Sequence, residues 1–168
     1  MGKSRGFQVT LSLHLPRDQI SVPVARHLVA SALREVGVVA DDRFDVELAT
    51  TEACTNVIDH AGPGDAYEVA VTIGPATCDI RVIDVGRGFD HLTLDSSRAQ
   101  APDSERGRGI SLMEALTDEV RFESEPDTGT IVHLTKGLHF DDSNPARRLM
   151  QEEFTPDELR EVEPVDGR

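Results

Sequence analysis

The chain is short of positive charge: its 168 residues include 17 Lys or Arg against 31 Asp or Glu, a formal net charge of −14. Nucleic acid and anionic membrane surfaces both demand clustered basic residues, so the composition argues against either as a direct partner. Cysteine is scarce too. Cys54 and Cys78 make no disulfide framework, and neither has a second Cys or His at metal-ligand spacing, so each reads as a small buried apolar residue. No apolar run reaches membrane length and no signal peptide is visible, which gives the expectation of a soluble cytoplasmic protein. The length fits one domain with some tail.

What is there centres on the uninterrupted run from Phe44 to Ala61, in which Phe44, Leu48, Thr51, Thr55 and Ile58 recur at helical spacing. On that helix Glu52, Asn56 and His60 follow one another at steps of four, so the three side chains form one polar column. A carboxylate and a carboxamide one turn apart can share a site. The first can take a proton, and the second offers a hard oxygen suited to Mg²⁺. Two glycine-flanked segments come later, Asp84-Val-Gly86-Arg-Gly88 and Arg106-Gly107-Arg108-Gly109-Ile110.

Taken in order, residues 1–6 are polar, and Phe7 to Leu15 alternates apolar with polar residues as a half-buried strand ended by Pro16. Asp18 or Ser21 can cap a helix with Pro23 in its first turn, running to Val36 and stopping at Gly37. Val24, Leu28, Ala32, Leu33 and Val36 supply its expected apolar face. Asp41 and Asp42 sit at the start of the central helix, and Gly62-Pro63-Gly64-Asp65 ends it. Tyr67 to Ile73 and Cys78 to Val85 read as a hairpin turned at Gly74-Pro75-Ala76. Residues 86–108 show no apolar period and read as a polar lid, followed by a helix near Ile110 to Leu116. A second hairpin follows, Glu119 to Ser124 and Thr130 to Thr135. Residues 137–168, with nine acidic residues, four basic and three prolines, read as an acidic appendage outside the core, holding a short helix around Asn144 to Glu153. The pattern predicts an α+β fold: a two-layer sandwich with helices on one face of a mixed, mostly antiparallel sheet.

Glu52-x-x-x-Asn56, Asp84-x-Gly86-x-Gly88, Gly107-x-Gly109 and Gly129-Thr130 together resemble the successive nucleotide-binding boxes of the GHKL ATPases, the superfamily of gyrase and the histidine kinases. The wording of Glu52 to Ala61 and of Arg106 to Met113 is especially similar to bacterial anti-sigma-factor serine kinases. The resemblance covers residues 7–136 and implies the Bergerat ATP-binding fold. It further implies a partner-switching protein that binds a sigma factor and uses ATP and Mg²⁺ to phosphorylate an anti-sigma-factor antagonist of the STAS type, often as a homodimer. On these positions it implies Asn56 as ligand of Mg²⁺, Glu52 as general base, and Asp84 as acceptor for the adenine amino group. Gly86 and Gly88 would give the nucleotide room, Gly107, Gly109 and Ile110 would open a helix toward phosphate, and Thr130 would bond near the base. Arg106 and Arg108 are placed to reach phosphates, and His60 to face nucleotide or partner.

The P-loop pattern Gly-x-x-x-x-Gly-Lys-Ser/Thr is absent, and no third glycine completes a dinucleotide fingerprint. The alternative left by the residues is a partner-switching module that holds its partner on exposed helix faces and uses nucleotide as a structural ligand, or not at all. A stand-alone histidine-kinase catalytic domain is the third reading, disfavoured because no dimerisation helix with a phosphoacceptor His is seen.

Overall fold

The computed structural model describes residues 8–60, 65–84, 105–125 and 129–147. The element order is β1 (Val9–Pro16), α1 (Ser21–Glu35), α2 (Ala40–His60), β2 (Ala66–Ile73), β3 (Thr77–Asp84), α3 (Glu105–Leu116), β4 (Glu119–Glu125) and β5 (Gly129–Gly137). The five strands form one sheet in the order β1-β2-β3-β5-β4, and every described pairing is antiparallel, where a mixed sheet was expected. One of these pairings is a tight hairpin: Gly74 N–H bonds the Thr77 carbonyl at 2.8 Å, so β2 returns antiparallel as β3. The α+β fold class stands.

Alternation puts one side of the sheet under the helices. Cys78, Ile80, Val82 and Asp84 of β3 are buried in turn, as are Thr130, Val132 and Leu134 of β5, and these rows face the core shared with α1 and α2. The helices bury only part of the faces expected: Leu33 and Val36 are in the core and Ala32 packs against it. On α1 the buried residues are Val22, Ala25, Val29 and Leu33, while Val24 and Leu28 are exposed. On α2 they are Val46, Ala49, Ala53, Cys54 and Val57, while Phe44 is 62% exposed. Both helices carry two adjacent stripes at helical spacing. The stripe of smaller residues wins on α2 because close packing of a helix on a sheet leaves little depth for long side chains.

Asp18 starts α1 from outside it: its carboxylate accepts the Ile20 N–H at 2.9 Å in an Asx turn, and its carbonyl accepts the Ser21 hydroxyl at 2.6 Å. Gly37 ends the helix at φ +85°, with Gly37 N–H bonded to the Arg34 carbonyl and Val38 N–H to the Leu33 carbonyl, a Schellman motif that only a residue without a β-carbon enters cheaply.

The folded unit does not stop at Lys136. Leu138 is buried in the core, Phe140 forms a bridge with Val38, and Asp141 N–H bonds the Gly37 carbonyl at 2.8 Å. His139 donates its backbone N–H to Asp42 Oδ2 at 2.5 Å, with its ring nitrogen 3.0 Å from the same oxygen. Residues 137–147 are therefore part of the domain, not the start of the appendage. Their acidic, proline-bearing composition hid a strap whose few apolar residues are well placed. Asn144 caps the Ala146 N–H at 2.9 Å where the expected short helix begins; the stretch beyond Arg147 lies outside the described residues.

Candidate active site

The sheet and the helices over it meet at the end of β3. Asp84 closes β3, and the register sets it between Tyr67 on β2 and Thr130 on β5. Alternation explains their orientation: Asp84 and Thr130 continue the core-facing rows of their strands, which is why both are buried, at 1% and 4% exposure. A carboxylate withdrawn this far from water demands partners. One is Arg17 in the turn between β1 and α1, whose guanidinium donates from Nη2 to Asp84 Oδ1.

Tyr67 ties this floor to the helices. Its hydroxyl lies 2.7 Å from Ser21 Oγ at the start of α1 and neighbours Cys54 of α2. Burial pushes the Cys54 thiol up to about 12, the Tyr67 hydroxyl opposing the shift. Burial likewise pushes Tyr67 up to about 12, with Ser21 opposing and Cys54 adding. Both groups are neutral at physiological pH, so Cys54 offers no thiolate nucleophile. Its place between Glu52 and Asn56 nonetheless brings that turn of α2 over the Tyr67–Asp84 end of the sheet.

Glu52 and Asn56 face α3. An ideal β-carbon built on Gly109 would lie 2.9 Å from Glu52 Oε2 and 3.5 Å from Asn56 Oδ1. The carboxylate and the carboxamide thus converge on the N-terminal part of α3, where the helix dipole favours negative groups and phosphate. The helix begins at Glu105, so Gly107 and Gly109 lie inside its first turns and not in a loop before it. Helix propensity argues against two glycines there, and the tight approach to α2 overrides it. Ile110 packs against the core from the same turn, and Arg108 is exposed. Two hard oxygens beside a helix N-terminus, with no room for a side chain between them, are a donor set that suits Mg²⁺ completed by phosphate and water.

The structure therefore brings the expected residues together in two groups, Glu52, Asn56 and Gly109 in one and Asp84 with Thr130 in the other. Gly86 and Gly88 lie outside the described residues, as do the side chains of His60 and Arg106. Sequence reading missed Arg17 and Tyr67. Tyr67 was legible as a strand residue, and alternation counted back from Asp84 across a hairpin could have marked it. No spacing links Arg17 to a partner 67 positions away.

Residues 15–136 match the model of the histidine-kinase-like ATPase domain. A serine-protein kinase RsbW from Halalkalibacterium halodurans is 30% identical over 141 residues, which span 79% of this chain and 86% of that protein. The chain belongs to the histidine-kinase-like ATPases, among the serine-protein kinases of the RsbW type. RsbW of Bacillus thuringiensis is 30% identical over 135 residues, 75% of this chain and 83% of its own length. In fold this RsbW-type kinase is similar to the crystal structure of the RsbU and RsbW domains of Rv1364c from Mycobacterium tuberculosis, with a TM-score of 0.57 at 22% identity. That match covers 77% of this chain and 32% of the longer mycobacterial one. Among the described residues of this RsbW-type chain no helix is long and apolar enough to cross a membrane.

Proposed function

We propose that this RsbW-type kinase is a cytoplasmic anti-sigma factor that binds a sigma factor and transfers the γ-phosphoryl group of ATP to a serine of an anti-sigma-factor antagonist. The observation that carries the site assignment is the convergence of Glu52 and Asn56 on Gly109. Asn56 would hold Mg²⁺ through Oδ1, and the ion would supply charge neutralisation for the phosphates. Asp84 accepts a hydrogen bond from the adenine amino group, and Thr130, its cross-strand neighbour, bonds beside the base. Gly107 and Gly109 let the phosphates approach the α3 backbone, with Arg106 and Arg108 at the same turn and Gly86 and Gly88 giving the base its space.

Glu52 takes the proton of the incoming serine hydroxyl on a carboxylate oxygen as the serine oxygen bonds to phosphorus. The bond from phosphorus to the β–γ bridging oxygen breaks and ADP leaves. The site's own contribution is positioning, which converts an encounter of two molecules into a near-attack geometry.

The test measures phosphoserine on a STAS-type antagonist from the same organism, together with calorimetric ATP binding. Glu52→Ala should abolish transfer while ATP affinity stays within about threefold, a change of less than 1 kcal/mol. Full transfer by that variant removes Glu52 from the role of base.

A further inference from the structure

Asp84 is 1% exposed and Arg17 holds its side chain 10% exposed, yet the two are joined by a charged hydrogen bond across the fold. A buried carboxylate lacking a counter-charge binds a proton, because low dielectric disfavours the ionised form. Among the described residues, the groups bordering Asp84 are Arg17 from the β1–α1 turn, Tyr67 on β2 and Thr130 on β5, with Cys54 of α2 beside Tyr67. Arg17 is the one cation among them. Tyr67 and Cys54 keep their protons up to about 12, so neither changes charge near neutrality.

The protonation state of Asp84 decides what it can recognise. Ionised, it only accepts hydrogen bonds and suits a base presenting an amino group. Protonated, it donates one and suits a base presenting a carbonyl. A carboxylate offers about four acceptor positions, so the bond from Arg17 to Oδ1 leaves capacity for a ligand. The turn that carries Arg17 is itself fixed, by Arg17 N–H on the Asp65 carbonyl at 2.9 Å and by the Ser21–Tyr67 pair, so the guanidinium is delivered by a braced backbone.

We propose that Arg17 is a positioning and specificity-determining residue of the base seat: its guanidinium keeps the buried Asp84 ionised and so fixes a preference for an amino-bearing purine over an oxo-bearing one. This rests on the reading of Asp84 as the carboxylate that meets the base. The experiment compares ATP with ITP, which differ in the 6-substituent and the N1 proton that accompanies it and share the triphosphate, so phosphate titration cancels in their affinity ratio. Binding is measured at pH 6 and pH 8 for wild type, Arg17→Met and Arg17→Lys. In the wild type the ATP preference is the same at both pH values. In Arg17→Met the ratio falls at pH 6 by at least about tenfold, one pH unit of carboxylate protonation being worth a factor of ten. Arg17→Lys restores most of it, a rescue that a merely structural role does not predict.

An Arg17→Met ratio equal to wild type at both pH values overturns the proposal. So does a wild type that loses its preference at pH 6, a result that needs no variant to fold. A wild type that binds neither nucleotide overturns the functional reading along with it, whereas ATP binding with an unmoved ratio removes Arg17's role alone.

Discussion

Gly109 and Glu52 sit so close that a β-carbon on the glycine would stand 2.9 Å from the carboxylate oxygen. The atom in the way is the end of a flexible side chain, so Gly109→Ala is structurally cheap. Alanine in a helix is worth about 0.5–1 kcal/mol over glycine. The expected outcome is a split: a melting temperature unchanged or raised, with antagonist phosphorylation reduced at least about tenfold because Glu52 is pushed from its position, the equivalent of about 1.4 kcal/mol on the barrier. Thermal melts and phosphotransfer rates on the same preparation check it.

Asn56→Ala and Asp84→Asn should weaken ATP by different routes. Loss of Asn56 removes the oxygen proposed to hold the cation, so the defect shrinks when binding is measured without Mg²⁺. Asp84→Asn leaves a group of the same size that can donate as well as accept, and its defect persists with or without the ion. The Asp84→Asn loss is expected at about 2–3 kcal/mol, the cost of a hydrogen bond involving a charged group, and both losses are read by titration calorimetry.

Alkali should unfold the protein through its buried acids. Burial raises Cys54 from 9.0 and Tyr67 from 10.0, each to about 12, and Cys78 behaves like Cys54. The folded state therefore holds these protons more tightly than the unfolded chain. Their contribution is fully present below about pH 9 and is lost as pH rises from there toward 12. Denaturant midpoints should be flat from pH 7 to about 9 and fall steeply above, and Cys54→Ala with Cys78→Ala should flatten the fall.

Gly37→Ala should destabilise the fold by about 1–2 kcal/mol, the cost of a left-handed conformation for a residue with a β-carbon. Space adds to the strain, since that carbon would stand 2.8 Å from Asn144 Cβ. Ending the chain after Lys136 should cost more, because Leu138 leaves the core and Asp42 loses both contacts to His139. Chemical denaturation of the two variants beside wild type checks the order.

The strands and both hairpins were legible because alternation in Phe7–Leu15 or Tyr67–Ile73 has one physical reading, a sheet with one covered side. Helix existence was equally plain, helix orientation was not: Val24 and Leu28 have the same spacing as Val22, Ala25 and Val29, and only the sheet beneath decides between them. The glycines of α3 were read as a loop because propensity is a local quantity and the close approach of Glu52 is not. Residues 137–147 were misjudged on composition, which cannot register that Leu138 and Phe140 fall where the core is open. Glu52, Asn56, Asp84 and Thr130 were singled out by the resemblance of four motifs to a known family, whereas Arg17 is visible only once the turn and the strand end are side by side.

Tyr67 is the chain's one tyrosine, and the chain contains no tryptophan. The hydroxyl that bonds Ser21, on the residue paired with Asp84 across the strands, is thus the only phenol in the molecule. Excited beyond the phenylalanine band, its ultraviolet emission comes from a single known place, the strand position opposite Asp84, and a change there can be followed by light in the unlabelled wild-type protein.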